Sequence, residues 1–173
     1  SSGNVYVADR ENNRIMKWTS VESEGTVVAG GNGAGSNNNQ LNSPESVYVD
    51  SSGNIYVADK SNNRVMKWTP GASLGSVVAG GNGEGTNNNQ LSSPRGVFVD
   101  SSGNVYVGDS NNNRIMKWAS GATSGILIAG GNGEGSNLNQ FNDPRGINVD
   151  SNGNVYVSDF DNYRIMKWAS GAT

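Results

Sequence analysis

The chain has 173 residues, 12 Lys+Arg against 15 Asp+Glu, and neither cysteine nor histidine. Those two absences exclude thiol nucleophiles, Ser-His and Cys-His catalysis and the usual zinc and copper ligands, and they leave the redox compartment open. A net charge of -3 with only 16% charged residues gives no basic footprint for a phosphate backbone, so nucleic acid is not an expected partner, and no apolar run is long enough for a membrane span.

Self-similarity organises the chain. Residues 1–50, 51–100 and 101–150 align without a gap, and 151–173 begin a fourth copy; only 15 of 50 positions differ between the first two copies, which points to recent duplication of one unit. The opening Ser1-Ser2-Gly3-Asn4 is neither an initiator methionine nor a signal peptide, so a mature product or an excerpt is expected.

Within a copy, short bursts of Val, Ile, Tyr and Trp are bounded by Gly, Asn, Asp, Ser and Pro, which predicts strands and turns with no helix. In the second copy, taken in chain order, the expected strands are 54–59 (NIYVAD), 64–69 (RVMKWT), 76–79 (SVVA) and 95–100 (RGVFVD). Asp50 to Asn54 carries a glycine where a tight hairpin needs positive φ, and Asn62-Asn63 serve the same purpose in the next link. Both links are short enough to join antiparallel neighbours. The connection Gly80 to Pro94 is long and Gly/Asn-rich, and its proline cannot donate to a ladder, so it marks a strand start. The strand 64–68 is the most amphipathic of the four and is expected towards the outer edge of a blade.

Ile55-Tyr56-Val57-Ala58 and Val97-Phe98-Val99 are apolar on both faces, so both faces need cover. Without helices the cover has to be neighbouring copies. The reading is an all-β chain: a β-propeller of four-stranded antiparallel blades stacked face to face, about 3.5 of them in this chain. A parallel β-solenoid would also stack repeats, but its turns would not hold two tight hairpins per period.

The string G-N-[VI]-Y-V-[AGS]-D-x-x-N-[NY]-R-[IV]-M-K-W recurs at 3–18, 53–68, 103–118 and 153–168, and N/S-x-P-x-[GS]-[VI]-x-V-D at 42–50, 92–100 and 142–150. Both resemble the NHL repeat. The resemblance implies a propeller, commonly six-bladed, with the strand ending at Asp50, Asp100 or Asp150 innermost. The copies depart from one another at Glu45-Ser46, where later copies have Arg-Gly, and at Tyr163, which replaces an asparagine. On this frame the chain starts and stops in mid-blade, so the ring is expected to be completed by more repeats or by another chain.

Several residues are candidates for a site. Asp9/Arg14, Asp59/Arg64, Asp109/Arg114 and Asp159/Arg164 flank each Asn-rich hairpin and suit a bidentate pair that holds the turn. The GGNGxG loops at 30–35, 80–85 and 130–135 lack the following helix that phosphate binding requires and are read as flexible crossovers between blades. Asp50, Asp100 and Asp150 in D-S-[SN]-G-N turns offer oxygen ligands without the downstream bidentate glutamate of a calcium loop, so a hairpin turn is the reading. Trp18, Trp68, Trp118 and Trp168 are read as packing between blades rather than as sugar platforms.

Some members of the family are enzymes, notably a lyase with metal-bound histidines, and that activity does not carry over to a chain without histidine. Nearly identical copies also lack the asymmetry that acid–base catalysis needs. The expected function is a non-catalytic scaffold without cofactor, mediating protein interaction or self-assembly in an extracellular or cell-surface setting. Its expected partners are other copies of itself or further repeats of the same chain. Two alternatives stand beside it: a glycan or peptide ligand held over the channel by Arg95, Arg145 and the loop residues Asn82, Glu84, Asn132 and Glu134, and a fragment of an enzyme whose active site lies elsewhere.

Overall fold

The structure, a computed structural model, describes residues 3–171. The strands are β1 (Val5–Asp9), β2 (Arg14–Trp18), β3 (Thr26–Gly30), β4 (Pro44–Val49), β5 (Ile55–Asp59), β6 (Arg64–Trp68) and β7 (Ser76–Gly80). They continue as β8 (Pro94–Val99), β9 (Val105–Asp109), β10 (Arg114–Trp118), β11 (Ile126–Gly130), β12 (Pro144–Val149), β13 (Val155–Asp159) and β14 (Arg164–Trp168). The pairings of these strands are antiparallel between chain neighbours and give four sheets: β1-β2-β3, β4-β5-β6-β7, β8-β9-β10-β11 and β12-β13-β14. The first sheet lacks an inner strand and the last lacks an outer one. This is the expected propeller segment, all-β and about three and a half blades.

Turn chemistry sets the sheets. Gly53, Gly103 and Gly153 hold φ near 79° (79°, 78° and 79°) in the hairpins that link the first two strands of each blade. At the other end, Lys60–Asn62 and its equivalents form a single 3-10 turn, a local helical element that composition did not signal, and Asn63 alone exits at φ 52°. Asparagine tolerates this left-handed conformation; tyrosine does so at a cost of about 1 kcal/mol or more. Tyr163 occupies the same position at φ 53° with its side chain in solvent. Tyr163→Asn is therefore expected to raise the denaturant midpoint by the equivalent of about 0.5–1 kcal/mol, checked by urea titration.

The inner strands β4, β8 and β12 lie side by side, β8 packing against both of the others. Between sheets lie three apolar clusters, and each is built from the same positions. The face turned to the following sheet supplies Tyr56, Ala58, Val65 and Ala79; the face turned to the preceding sheet supplies Val105, Val107, Met116 and Trp118. Leu41, Leu91 and Phe141, from the long connections, plug the seams and are fully buried. Strand 64–68 is less amphipathic than its sequence suggests: only Lys67 stays half-exposed, because Arg64 is buried by the contacts described below. The amphipathic strand of the blade is instead β7, exposed at Ser76 and Val77 and buried at Ala79 and Gly80.

The tryptophans are seated by glycine. A Cβ at Gly125 would lie 2.9 Å from the Trp118 ring, and one at Gly75 would lie 2.7 Å from Trp68, so the backbone after each indole can rest on it only without a side chain. Trp68 and Trp118 are 1% exposed. Lys67 and Lys117 reach over Tyr56 and Tyr106 on the opposite face of the sheet, 5.4 and 5.1 Å from the ring centres.

Candidate functional site

The Asp–Arg pairs are joined by one Nε–Oδ2 bond each rather than by the expected bidentate fork, because the terminal guanidinium nitrogens of the later three copies are engaged elsewhere. They do more than close a hairpin. Arg64 donates Nε to Asp59 Oδ2 at 2.7 Å, then spends its two terminal nitrogens on carbonyls of the long connection before it: Ser36 at 2.7 Å, Asn37 at 3.2 Å and Gln40 at 3.1 Å. Asp59 Oδ1 accepts the Asn42 backbone N–H, and Asn62 bridges Asp59 to the Gly35 carbonyl. The arrangement repeats at Asp109/Arg114 with Thr86, Asn87 and Gln90, and at Asp159/Arg164 with Ser136, Asn137 and Gln140. Burial pushes the Asp59 and Asp109 carboxyls up, against the downward pull of these donors and of arginine. Among the described residues, Asp9 accepts from Arg14 Nε at 2.8 Å and from the Asn12 side chain, and Arg14 bonds no carbonyl of a long connection.

The long connections are cross-braced rather than flexible crossovers. Asn82 Nδ2 donates to the Gly80 and Asn89 carbonyls, Gln90 Nε2 donates to the Asn82 carbonyl, and Glu84 accepts the Ser92 hydroxyl at 2.6 Å. Asn132 holds Gly130 and Asn139 in the same way, and Glu134 accepts from Asn142. These four loop residues thus have polar atoms engaged inside their own connections. Asn13, Asn63 and Asn113 each accept a backbone N–H from the residue that precedes the next blade's inner strand, at Ser43, Ser93 and Asp143. These asparagines were read from sequence for their backbone conformation alone; their regular 30-residue offset to the proline-preceding residue is the signal for the bond.

At one end of the inner strands, Asp50, Asp100 and Asp150 surround a cleft of about 530 Å³ with Tyr48 and Phe98. Each carboxylate is consumed by its own turn: Asp100 accepts the Ser102 and Asn104 N–H groups, the Asn104 side chain and the Tyr106 hydroxyl. Desolvation works upward on Asp50 and Asp100, but these donors outweigh it and hold both carboxyls below the usual range. Among the described residues no group of three or more metal-ligating side chains forms. A depressed carboxyl stabilises the fold above its unfolded pKa and loses that contribution as pH falls through the folded value. The stability gap between wild type and Asp100→Asn, measured by urea titration, is therefore expected at pH 7 and should shrink as pH drops below about 4.

At the opposite end, Arg95 and Arg145 start β8 and β12 beside Glu45 at the start of β4, all lining one small cleft. Arg145 binds Asp143 through Nε and Nη2 and stacks 3.3 Å over Phe160. Arg95 Nε lies 3.3 Å from Asp143 Oδ1.

The outward faces of the first and last described sheets carry bare apolar side chains. Val5 and Val7 are 57% and 42% exposed, whereas Ile55 and Val57 at the same positions are 6% and 0% exposed. Ile165 is 70% exposed, whereas Ile15, Val65 and Ile115 are 0%. At these strand positions a valine or isoleucine is buried where another sheet lies over it and bare where none does.

The family pattern described as NHL repeat matches residues 41–68, 91–118 and 141–168, each spanning an inner strand and the two strands after it. No curated protein matches the chain. Among solved structures, a protein titled as of unknown function from Bacteroides thetaiotaomicron VPI-5482 is similar at 21% identity and TM-score 0.77, over 96% of this chain and 44% of that one. A chain in a structure titled Nidogen/Laminin Complex is similar at 20% identity and TM-score 0.73, over 99% and 58%. A structure titled Streptogramin B lyase is similar at 14% identity and TM-score 0.58, over 99% and 49%. The chain spans about half the length of these structures, and at such identities the likeness shows the fold. Repeat pattern, strand order and fold agree: the chain is built of NHL repeats and belongs to the NHL-repeat family.

Proposed function

We propose that the chain is a non-catalytic repeat scaffold whose two terminal sheet faces take up sheets of the same kind, so that it serves protein interaction through self-assembly. The observation that carries this is the exposure of Val5, Val7 and Ile165 against the burial of their counterparts. The inner interfaces supply the template: a face of Tyr, Ala and Val meets a face of Val, Met and Trp, and the two bare faces carry Val5, Val7, Met16 and Trp18 on the first sheet and Tyr156, Ser158 and Ile165 on the last. Head-to-tail stacking of one chain's first sheet on another's last would repeat that packing. The similar chain in a nidogen–laminin complex supports use of this fold in protein association. Against catalysis stand near-identical copies, no histidine and no cysteine; the similar fold of a streptogramin B lyase means that fold alone does not decide the matter. The Asn- and Gly-rich, weakly charged surface suits an extracellular or cell-surface setting.

Light scattering across a concentration series tests the proposal. The expected result is a mass that rises above the monomer with concentration, and a return to monomer for Ile165→Glu. A monodisperse monomer throughout would overturn it.

A further inference from the structure

The arginine clamps of the later three sheets each hold one stretch of the connection before them. At Arg64 that stretch is 35–42. Its Gly35, Ser36, Asn37 and Gln40 carbonyls accept from Asn62 and Arg64, and its Asn42 N–H donates to Asp59. Its Leu41 side chain is buried in a cluster with Ile55, Val57, Met66 and Trp68. Stretches 85–92 and 135–142 sit on Arg114 and Arg164 by the same bonds, with Leu91 and Phe141 in the seam. The occupant has one pattern, G-[ST]-N-x-N-Q-[LF], in all three.

The first sheet carries the same clamp, open. Asp9 faces Arg14 in the register that sets Asp59 against Arg64. Among the described residues, Arg14 Nη1 and Nη2 bond no acceptor and Asp9 accepts no backbone N–H. Asn12 turns its amide back on both Asp9 oxygens, at 2.9 and 3.1 Å, where Asn62 reaches across to a carbonyl. These groups are within reach of solvent: the Asp9 and Arg14 side chains are 26% and 36% exposed, against 0% and 7% for Asp59 and Arg64, and Asn12 is exposed. On the same sheet lies the bare apolar seat, with Val5 and Val7 at the positions of Ile55 and Val57.

We propose that this open clamp binds, from another molecule, a Gly/Asn-rich peptide segment of the connection's own pattern. The segment's carbonyls accept from Arg14 and Asn12, one of its N–H groups donates to Asp9, and its Leu or Phe lies on Val5, Val7 and Trp18. A charged donor makes the stronger class of hydrogen bond, and the planar guanidinium suits carbonyls that converge on it from several positions. For the source of the segment the inference rests on the self-assembly reading, and it adds what the partner must bring. A sheet alone covers the valines yet leaves Arg14 without carbonyls, so the preferred partner presents a connection as well.

The test is NMR titration of the 15N-labelled chain, carrying Ile165→Glu to keep it monomeric, with a synthetic peptide of residues 130–143, GGNGEGSNLNQFND. The expected result is saturable shifts at Arg14 Nε–H, the Asn12 side-chain amide and the Val5 and Val7 amides. Binding should weaken about tenfold or more with Arg14→Met in the chain, its circular dichroism spectrum kept, or with Phe141→Asp in the peptide. Absence of saturable shifts, equal shifts from a scrambled peptide, or equal affinity for the Arg14→Met chain would overturn the proposal. Light scattering of the wild-type chain separates the two readings. Association with concentration, without peptide shifts, retains sheet stacking and overturns the clamp; peptide shifts on a chain that is monomeric at every concentration retain the clamp and overturn sheet stacking.

Discussion

Arg114→Met is expected to lower unfolding stability by about 3–5 kcal/mol, because it strands the fully buried Asp109 carboxylate without its cation. It also frees the Thr86, Asn87 and Gln90 carbonyls that Arg114 gathers from the preceding connection. Lysine cannot substitute, since one ammonium does not reproduce the fork that reaches the carboxylate and three carbonyls together. The chain carries its own control. Arg14 makes the same bond to Asp9, but its side chain is 36% exposed and among the described residues it bonds no carbonyl of a long connection. Arg14→Met is expected to cost less than about 1 kcal/mol. Urea titrations of the two variants decide between an inter-repeat clamp and a hairpin brace, because a hairpin brace would give equal losses.

The second large effect concerns the indoles. Trp118→Ala is expected to cost about 3–5 kcal/mol, since it empties the seam between the second and third sheets, where Trp118 packs with Val105, Val107 and Met116. Trp18 sits at the same strand position on the bare face of the first sheet and is only partly buried. Its replacement by alanine is expected to cost markedly less in dilute solution. The measurement is the urea midpoint by circular dichroism. Equal losses at the two sites would mean that the indole's worth lies in its own blade, resting on Gly25 or Gly125, rather than in the seam between blades.

Much of this architecture is legible in the sequence because the repeat states it several times. Strands apolar on both faces, such as Ile55 to Ala58, with no helix to cover them, leave face-to-face stacking as the solution, and the structure buries those residues. What the sequence hid is long-range and polar. Arg64 reads as a solvent-facing end of an amphipathic strand; it is buried because carbonyls some 24 to 28 residues earlier converge on it. The Gly/Asn connections read as loose because no strand or helix pattern runs through them, yet Asn82 and Gln90 lace them from within. The Glu45-Ser46 departure is visible in the alignment of copies, but Arg95 stands beside it across two inner strands, and a position count along one chain does not reveal that neighbour.

Amide hydrogen exchange at two protein concentrations tests the dependence of each sheet on the next most directly. The account predicts slowest exchange in β5, β6, β9 and β10, faster exchange in β1, β2, β13 and β14, and slowing of those four terminal strands as concentration rises. Protection that is equal across all four sheets and unchanged by concentration would contradict it.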